Sequence, residues 1–204
     1  MKIIKILLAL TLLGACAPYG TKGAKEPQRN YPVFLQNGLT FAAFKAEGEA
    51  KGNTYAALIT LKAQEEGVSI KITGDFAATL LEAVFDGSKF VYKSSVLSLD
   101  PKAQAIFEEI IKTLLQKPQN FAGYSTLRGE DYRISFKGEP YLNSYYFKKG
   151  LSFPYKLEQK KLVVQKVFTF EDYQGYEQST LPTVINITDG HGFAKLKLTL
   201  LSVK

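Results

Sequence analysis

Polar and apolar residues alternate along much of the chain. In "GVSIKITGDF", Val68, Ile70, Ile72 and Phe76 share one face, and Ser69, Lys71, Thr73 and Asp75 the other. A period of two marks a strand with one dry and one wet side. "DYRISFK" repeats it, with Tyr132, Ile134 and Phe136 opposite Asp131, Arg133, Ser135 and Lys137. "GFAKLKLTLL" does so again, setting Ala194, Leu196, Leu198 and Leu200 against Lys195, Lys197 and Thr199. Looser runs cover 39–47, 54–63, 78–86, 89–97, 141–148, 153–159, 161–171 and 183–188. Glu66-Gly67, Asp86-Gly87 and Asp189-Gly190 punctuate them as turns. Strands this close in sequence pair antiparallel.

A different period rules residues 100–118. Ala103, Ile106, Phe107, Ile110, Ile111, Leu114 and Leu115 form an apolar stripe at helical spacing. Asp100 is placed to cap this helix, Pro101 to open it and Pro118 to stop it. Glu108 and Lys112 make an i,i+4 pair expected on its wet side. One long helix and about ten one-sided strands predict a strongly curved antiparallel sheet with the helix packed into its hollow. Curvature lets a wide sheet hide a single greasy face.

The N-terminus, MKIIKILLALTLLGAC, follows a third pattern. Lys2 and Lys5 precede an apolar run from Ile6 to Leu13, then come Gly14, Ala15 and Cys16. This is the layout of a secretory signal, too short for a membrane span of ~20 residues. Residues 1–15 are therefore expected to be removed. Leu13 to Cys16 resembles the bacterial lipobox, and the chain has no other cysteine. The resemblance implies that Cys16 carries diacylglycerol and anchors the mature chain to a membrane. Ala17 in place of an aspartate implies the outer membrane, with the protein lipid-anchored and facing the periplasm of a Gram-negative bacterium. Residues 16–30 then read as the acylated cysteine with a flexible tether, and 31–204 as a single domain.

Charge adds little to this picture. The 26 basic and 19 acidic residues give +7, and losing Lys2 and Lys5 lowers it to +5. The excess suits anionic headgroups or acidic partners, or simply a soluble basic surface. The lysines are scattered, which does not suit nucleic acid. Candidate chemistry is sparse, and neither an enzyme nor a cofactor is expected. His191 is the only histidine and falls in the "TDGHG" turn. No nucleophile elbow or phosphate loop is present. The carboxylate pairs Glu65-Glu66, Glu108-Glu109 and Glu171-Asp172 read as solvated. Tyr141, Tyr145, Tyr146 and Tyr155, with Phe147 and Phe153, suit either the rim of an apolar groove or ordinary strands.

The last stretch, "LPTVINITDGHGFAKLKLTLLSVK", resembles the end of the LolA/LolB family, in particular its outer-membrane lipoprotein receptors. The shared features are the strand led by Pro182, the Thr188-Asp189-Gly190 turn, the basic–apolar strand Lys195 to Leu200, and the final Val203-Lys204. The resemblance implies an incomplete β-barrel of about eleven antiparallel strands, with helical cover over its mouth. It implies a hollow lined by Ile59, Leu61, Ile70, Ile72, Leu81, Phe85, Ile134, Phe136, Leu196 and Leu198, residues that plain core packing would equally employ. "KITGDFAATLLEAVFDG" resembles the segment in which that family carries a protruding loop, so Phe76 would be a membrane-transfer residue. Two functions follow as expectations. One is a carrier or receptor that takes acyl chains or lipoprotein cargo into the hollow, with Ile106, Phe107, Ile110, Ile111 and Leu114 on a lid helix. The other is a non-catalytic scaffold whose partner is an envelope protein, met through the tyrosines of 141–155.

Overall fold

The structure is a computed structural model that describes residues 26–50, 52–96, 101–127, 131–161, 164–176, 178–190 and 194–204. The expected leader 1–15, the acylation site Cys16, the helix cap Asp100 and His191 lie outside the described residues. Twelve strands form one sheet: β1 (Phe41–Ala50), β2 (Asn53–Gln64), β3 (Gly67–Thr73), β4 (Thr79–Phe85), β5 (Phe90–Ser95), β6 (Phe121–Thr126), β7 (Tyr132–Lys137), β8 (Leu142–Phe147), β9 (Pro154–Lys160), β10 (Val164–Tyr176), β11 (Ser179–Asp189) and β12 (Ala194–Val203). Among the described residues one α-helix, α1 (Pro101–Leu115), lies between β5 and β6 in the chain.

The strand order is β5-β4-β3-β2-β1-β12-β11-β10-β9-β8-β7-β6. Every pairing is antiparallel. Two meanders therefore run outward from a central seam where the last strand meets the first, Ala46 opposite Leu198. The sheet stays open because its edges, β5 and β6, do not pair with one another. α1 links those edges.

Twelve strands laid flat would span roughly 50 Å at ~4.8 Å per strand. Yet one continuous buried cluster takes Leu61, Ile70 and Phe85 from one wing and Ile134, Phe136 and Leu157 from the other. The sheet must curl to bring them together. Bulges assist: register slips at Ala43/Phe44, Ile72/Thr73, Glu82/Ala83 and Tyr146/Phe147, and each slip bends its strand. Turns hold the register elsewhere. Gly67 closes the β2–β3 hairpin at φ +131, where an added Cβ would lie 2.3 Å from the Phe85 carbonyl oxygen. The Asp86 carboxylate accepts hydrogen bonds from the Ser88 and Lys89 amides and the Ser88 hydroxyl, each at 2.9 Å. The amides of Lys89 and Ser88 hold its pKa down at about 2.

Two features depart from the sequence reading. The expected count of about eleven strands is one short, because β6 was missed. Its sequence FAGYST has no clean alternation, and Gly123 sits at φ +146 where the register slips between Phe121 and Gly123. The second is the stretch before β1. Tyr31, Val33, Phe34 and Leu39 lie inside the core cluster, although YPVFL has neither period. Phe34 is 1% exposed and meets Phe44 edge-on at 4.9 Å. Tyr31 stacks edge-on with Phe136, Tyr145 and Phe147 on the opposite wing. Part of the expected tether is also held in place: Arg29 lies over the Tyr132 ring at 4.9 Å, and the Asn30 amide bonds the Ser152 carbonyl.

Phe34→Ala removes a fully buried ring from the junction of both wings. The expected loss is about 3–5 kcal/mol of stability, read as a lowered urea midpoint.

Candidate functional site

The concave face is continuous from wing to wing. Ile59 faces Ile72 and Leu61 faces Ile70 across β2–β3, and Ile72 faces Leu81 across β3–β4. Leu196 and Leu198 face Ile187 and Ile185 across β11–β12. Ile59, Leu61, Ile70, Phe85, Ile134, Phe136 and Leu198 are buried in one cluster, and Ile72 and Leu196 pack against it half-buried. Leu81 is fully buried beside Ile72 but stands outside that continuous cluster.

The hollow is filled by the chain's own side chains. Ile111 and Leu114 of α1 are 1% and 2% exposed, and Phe107 and Ile110 pack against the same cluster. Ile106, expected on the covering face, is instead 41% exposed. Ile106 therefore marks an edge of the apolar stripe that stays in water. The segment 31–39 fills the rest and is tied to α1 by the Phe34 amide, which donates to the Leu114 carbonyl at 2.8 Å. Otherwise α1 is held to the sheet by side chains. On the β4–β5 wing the Tyr92 hydroxyl donates to Glu108 and Gln116 donates to the Gly87 carbonyl. Glu108 and Lys112, expected as a wet-side pair, both face this edge: Lys112 lies 6.0 Å from the Phe85 ring centre and 5.7 Å from that of Phe90.

The opposite wing carries the group that sequence reading missed. Glu109, expected on a solvated face, turns inward and forms an ion pair with Lys166 of β10. Both side chains are largely buried, at 19% and 8% exposed. Lys166 also lies 4.9 Å from the centre of the Tyr141 ring. One turn on, Thr113 donates to the Glu109 carbonyl and accepts from Gln159 of β9 at 3.3 Å. Gln159 reaches on to Asn143 of β8 at 3.2 Å. A polar seam thus runs along one side of an otherwise apolar interface. Burial pushes the Glu109 carboxyl above its ordinary pKa, and Lys166 recovers only part of that shift. A polar residue adjoining a helix's apolar stripe is the only sequence signal for such a seam, and Glu109 directly precedes Ile110.

A groove of about 660 Å³ lies at the far ends of β1, β2, β11 and β12, lined by Gly48, Tyr55, Ile187 and Leu196 of the inward rows and by wet-face residues such as Glu47, Glu49, Lys195 and Lys197. Asp75 of the β3–β4 loop also lines it. The next residue, Phe76, is fully exposed in a short 3-10 turn, Asp75–Ala77. Phe76 and Ala77 have φ of 57° and 59°, a left-handed geometry costing roughly 1–2 kcal/mol per non-glycine residue. The tyrosines divide by face. Tyr145 is buried in the core, while Tyr146 donates to Glu158 at 2.6 Å and Tyr155 to Asp131 at 3.3 Å. Among the described residues no three His, Cys, Asp or Glu side chains group as a metal site requires, and no helix is long and apolar enough to cross a membrane.

No family model matches the chain, and no curated protein matches its sequence. Solved structures do resemble it. A LolA superfamily protein from Nitrosomonas europaea superposes with a TM-score of 0.57 at 12% identity, covering 84% of this chain and 88% of the other. A domain from Vibrio parahaemolyticus, described as an outer membrane lipoprotein-sorting protein, gives 0.53 at 12% identity over 84% and 86%. A DUF1329 family protein from Desulfovibrio piger gives 0.50 at 8% identity over 82% and 86%. The chain therefore has a LolA/LolB-like fold: an open, curved antiparallel sheet with one helix in its hollow.

The raised pKa of Glu109 sets a sign for pH dependence. An acid that is harder to ionise when folded stabilises the fold fully below its unfolded pKa, and that contribution is lost as pH rises through the folded value. Glu109→Gln removes this titration. The stability of the native chain minus that of the variant should therefore fall as pH rises from the ordinary carboxylate range toward the raised one, measured by urea unfolding at a series of pH values. A flat difference would contradict the burial of Glu109.

Proposed function

We propose that this chain is a lipid-anchored, periplasm-facing protein of a Gram-negative envelope, and that it takes acyl chains, of a lipid or a lipoprotein, into its hollow. In this reading residues 1–15 are a leader, Cys16 bears the anchor, 16–30 form the link to the membrane, and 31–204 are the carrier domain. The observation that carries the reading is the nature of the cover. The sheet is joined strand to strand by backbone ladders, whereas α1 and residues 31–39 sit on it through side chains and few backbone bonds. Such a cover can leave without unzipping a strand. Exposing Val33, Phe34, Leu39, Ile111 and Leu114 costs roughly 8–15 kcal/mol at about 1.5–3 each. The roughly fifteen methylenes of an entering sixteen-carbon chain return about 12 kcal/mol at ~0.8 each. The two are of one size, so an acyl chain can replace the cover.

The fold likeness to a lipoprotein-sorting domain supports the same reading. So does the β3–β4 loop. Phe76 presents a whole ring to water on a backbone whose cost no packing offsets, next to Asp75, which lines the groove at the ends of β1, β2, β11 and β12. A ring so placed can enter a bilayer surface while cargo passes.

A second reading rests on the filled hollow itself: a scaffold keeps its core packed and meets an envelope protein through the outer face of 141–155. One titration separates the two. The purified protein is mixed with a fluorescent sixteen-carbon fatty acid. The carrier reading expects saturable binding that palmitate displaces. It also expects slower transfer of the probe to vesicles with Phe76→Glu, at unchanged stability to within ~0.5 kcal/mol. No saturable binding would leave the scaffold.

A further inference from the structure

Lys166 is the one charged residue that is buried among the described residues. It belongs to the inward row of β10, where Lys166, Phe168 and Phe170 are buried at alternate positions. The two rings follow one another along the strand, 6.5 Å between centres. Lys166 stands near the end of the sheet, opposite Asp189, the last residue of β11. The row thus begins with a cation and continues as hydrocarbon. Its counter-ion is not part of the sheet: Glu109 lies on α1. Three groups face Lys166 from the sheet side. Tyr141 offers its ring at 4.9 Å, and Gln159 is the neutral neighbour on β9. Asp189 is the third, and its Oδ1 accepts the Ala194 amide at 3.0 Å.

The ion pair therefore joins the cover to the wall. When α1 leaves, Glu109 leaves with it and the ammonium stays behind. Hydrocarbon filling the hollow keeps water from taking the place of the carboxylate. A buried charge stripped of its partner is strongly unfavourable. A molecule that brings its own anion restores the pair, and one with a neutral head does not. We propose that the cargo is an anionic lipid, whose carboxylate or phosphate replaces the Glu109 carboxylate on Lys166 while its acyl chain runs along Phe168 and Phe170. This inference rests on the acyl-chain reading and adds to it the charge of the head. The ammonium that fastens α1 over the empty hollow is then the one that receives the cargo. A free fatty acid and a phospholipid share this chemistry.

The test is displacement of a neutral, pyrene-labelled fatty alcohol from the full chain, with every competitor below its aggregation concentration. Palmitate is set against hexadecanol, and palmitoyl lysophosphatidylglycerol against monopalmitoylglycerol, so that the tail is constant within each pair. The anionic member should displace the probe at a concentration at least about tenfold lower in one pair or both. Lys166→Met should abolish that preference while hexadecanol binds as tightly as before or more tightly. If the single variant fails to fold because Glu109 is left alone, Glu109→Gln with Lys166→Met removes both charges and decides by the same ratio. A merely structural role for Lys166 would shift all four competitors alike and leave the ratio intact. A preference in the palmitate pair alone assigns the cargo to free fatty acids, and one in the lysophospholipid pair alone to phospholipids. A preference in both pairs means that head charge by itself selects. Equal displacement within both pairs, or a preference that survives the variants, would overturn the proposal and leave the acyl-chain reading standing. Displacement by none of the four would remove that reading and this inference with it.

Discussion

A wide sheet with one apolar face has to hide that face, and the rest of this structure is a response to the requirement. Curling brings the two wings within reach of one another but leaves the edges β5 and β6 apart. The gap between them is crossed by α1, which the connectivity places there because it joins those two strands. What α1 does not cover, residues 31–39 do, with Phe34 and Tyr31 reaching opposite wings. The core is thus mostly sheet, closed by an inserted cover that supplies Tyr31, Val33, Phe34, Leu39, Ile111 and Leu114.

The cover is not uniformly greasy. Its β9–β10 side carries the buried pair Glu109–Lys166 and the chain Thr113, Gln159, Asn143. Such pairs add little net stability against apolar replacements of the same shape, because desolvation offsets the attraction. They do fix one orientation, since a helix rotated or slid by a turn would leave both charges buried alone. An apolar stripe by itself would tolerate such slippage. The seam therefore sets where α1 sits, while Ile111 and Leu114 supply the burial that holds it there.

Alternation made most of the sheet readable. Strands such as β3, β7 and β12 show a strict period of two because one face is dry and the other wet. The helix was equally plain from its stripe and prolines. What escaped has physical causes. In β6, Gly123 breaks the alternation at a bulge. Residues 31–39 are irregular chain, so their burial leaves no period to detect. Glu109 looked solvated beside Glu108 because neighbouring helical positions lie only about a quarter-turn apart. Only a partner distant in sequence, Lys166, draws it inward. Gln159 lies in the alternating run of β9 and gains its meaning only from Thr113 on the helix above it.

The central claim is that the chain covers its own hollow with segments that an acyl chain can displace. Hydrogen exchange with mass readout, run with and without saturating palmitate, measures both segments in the native protein. The account predicts faster exchange across α1 and residues 31–39 when palmitate binds, with the ladders of β1, β11 and β12 unchanged. Bound palmitate with protection in those two segments unchanged or increased would contradict it.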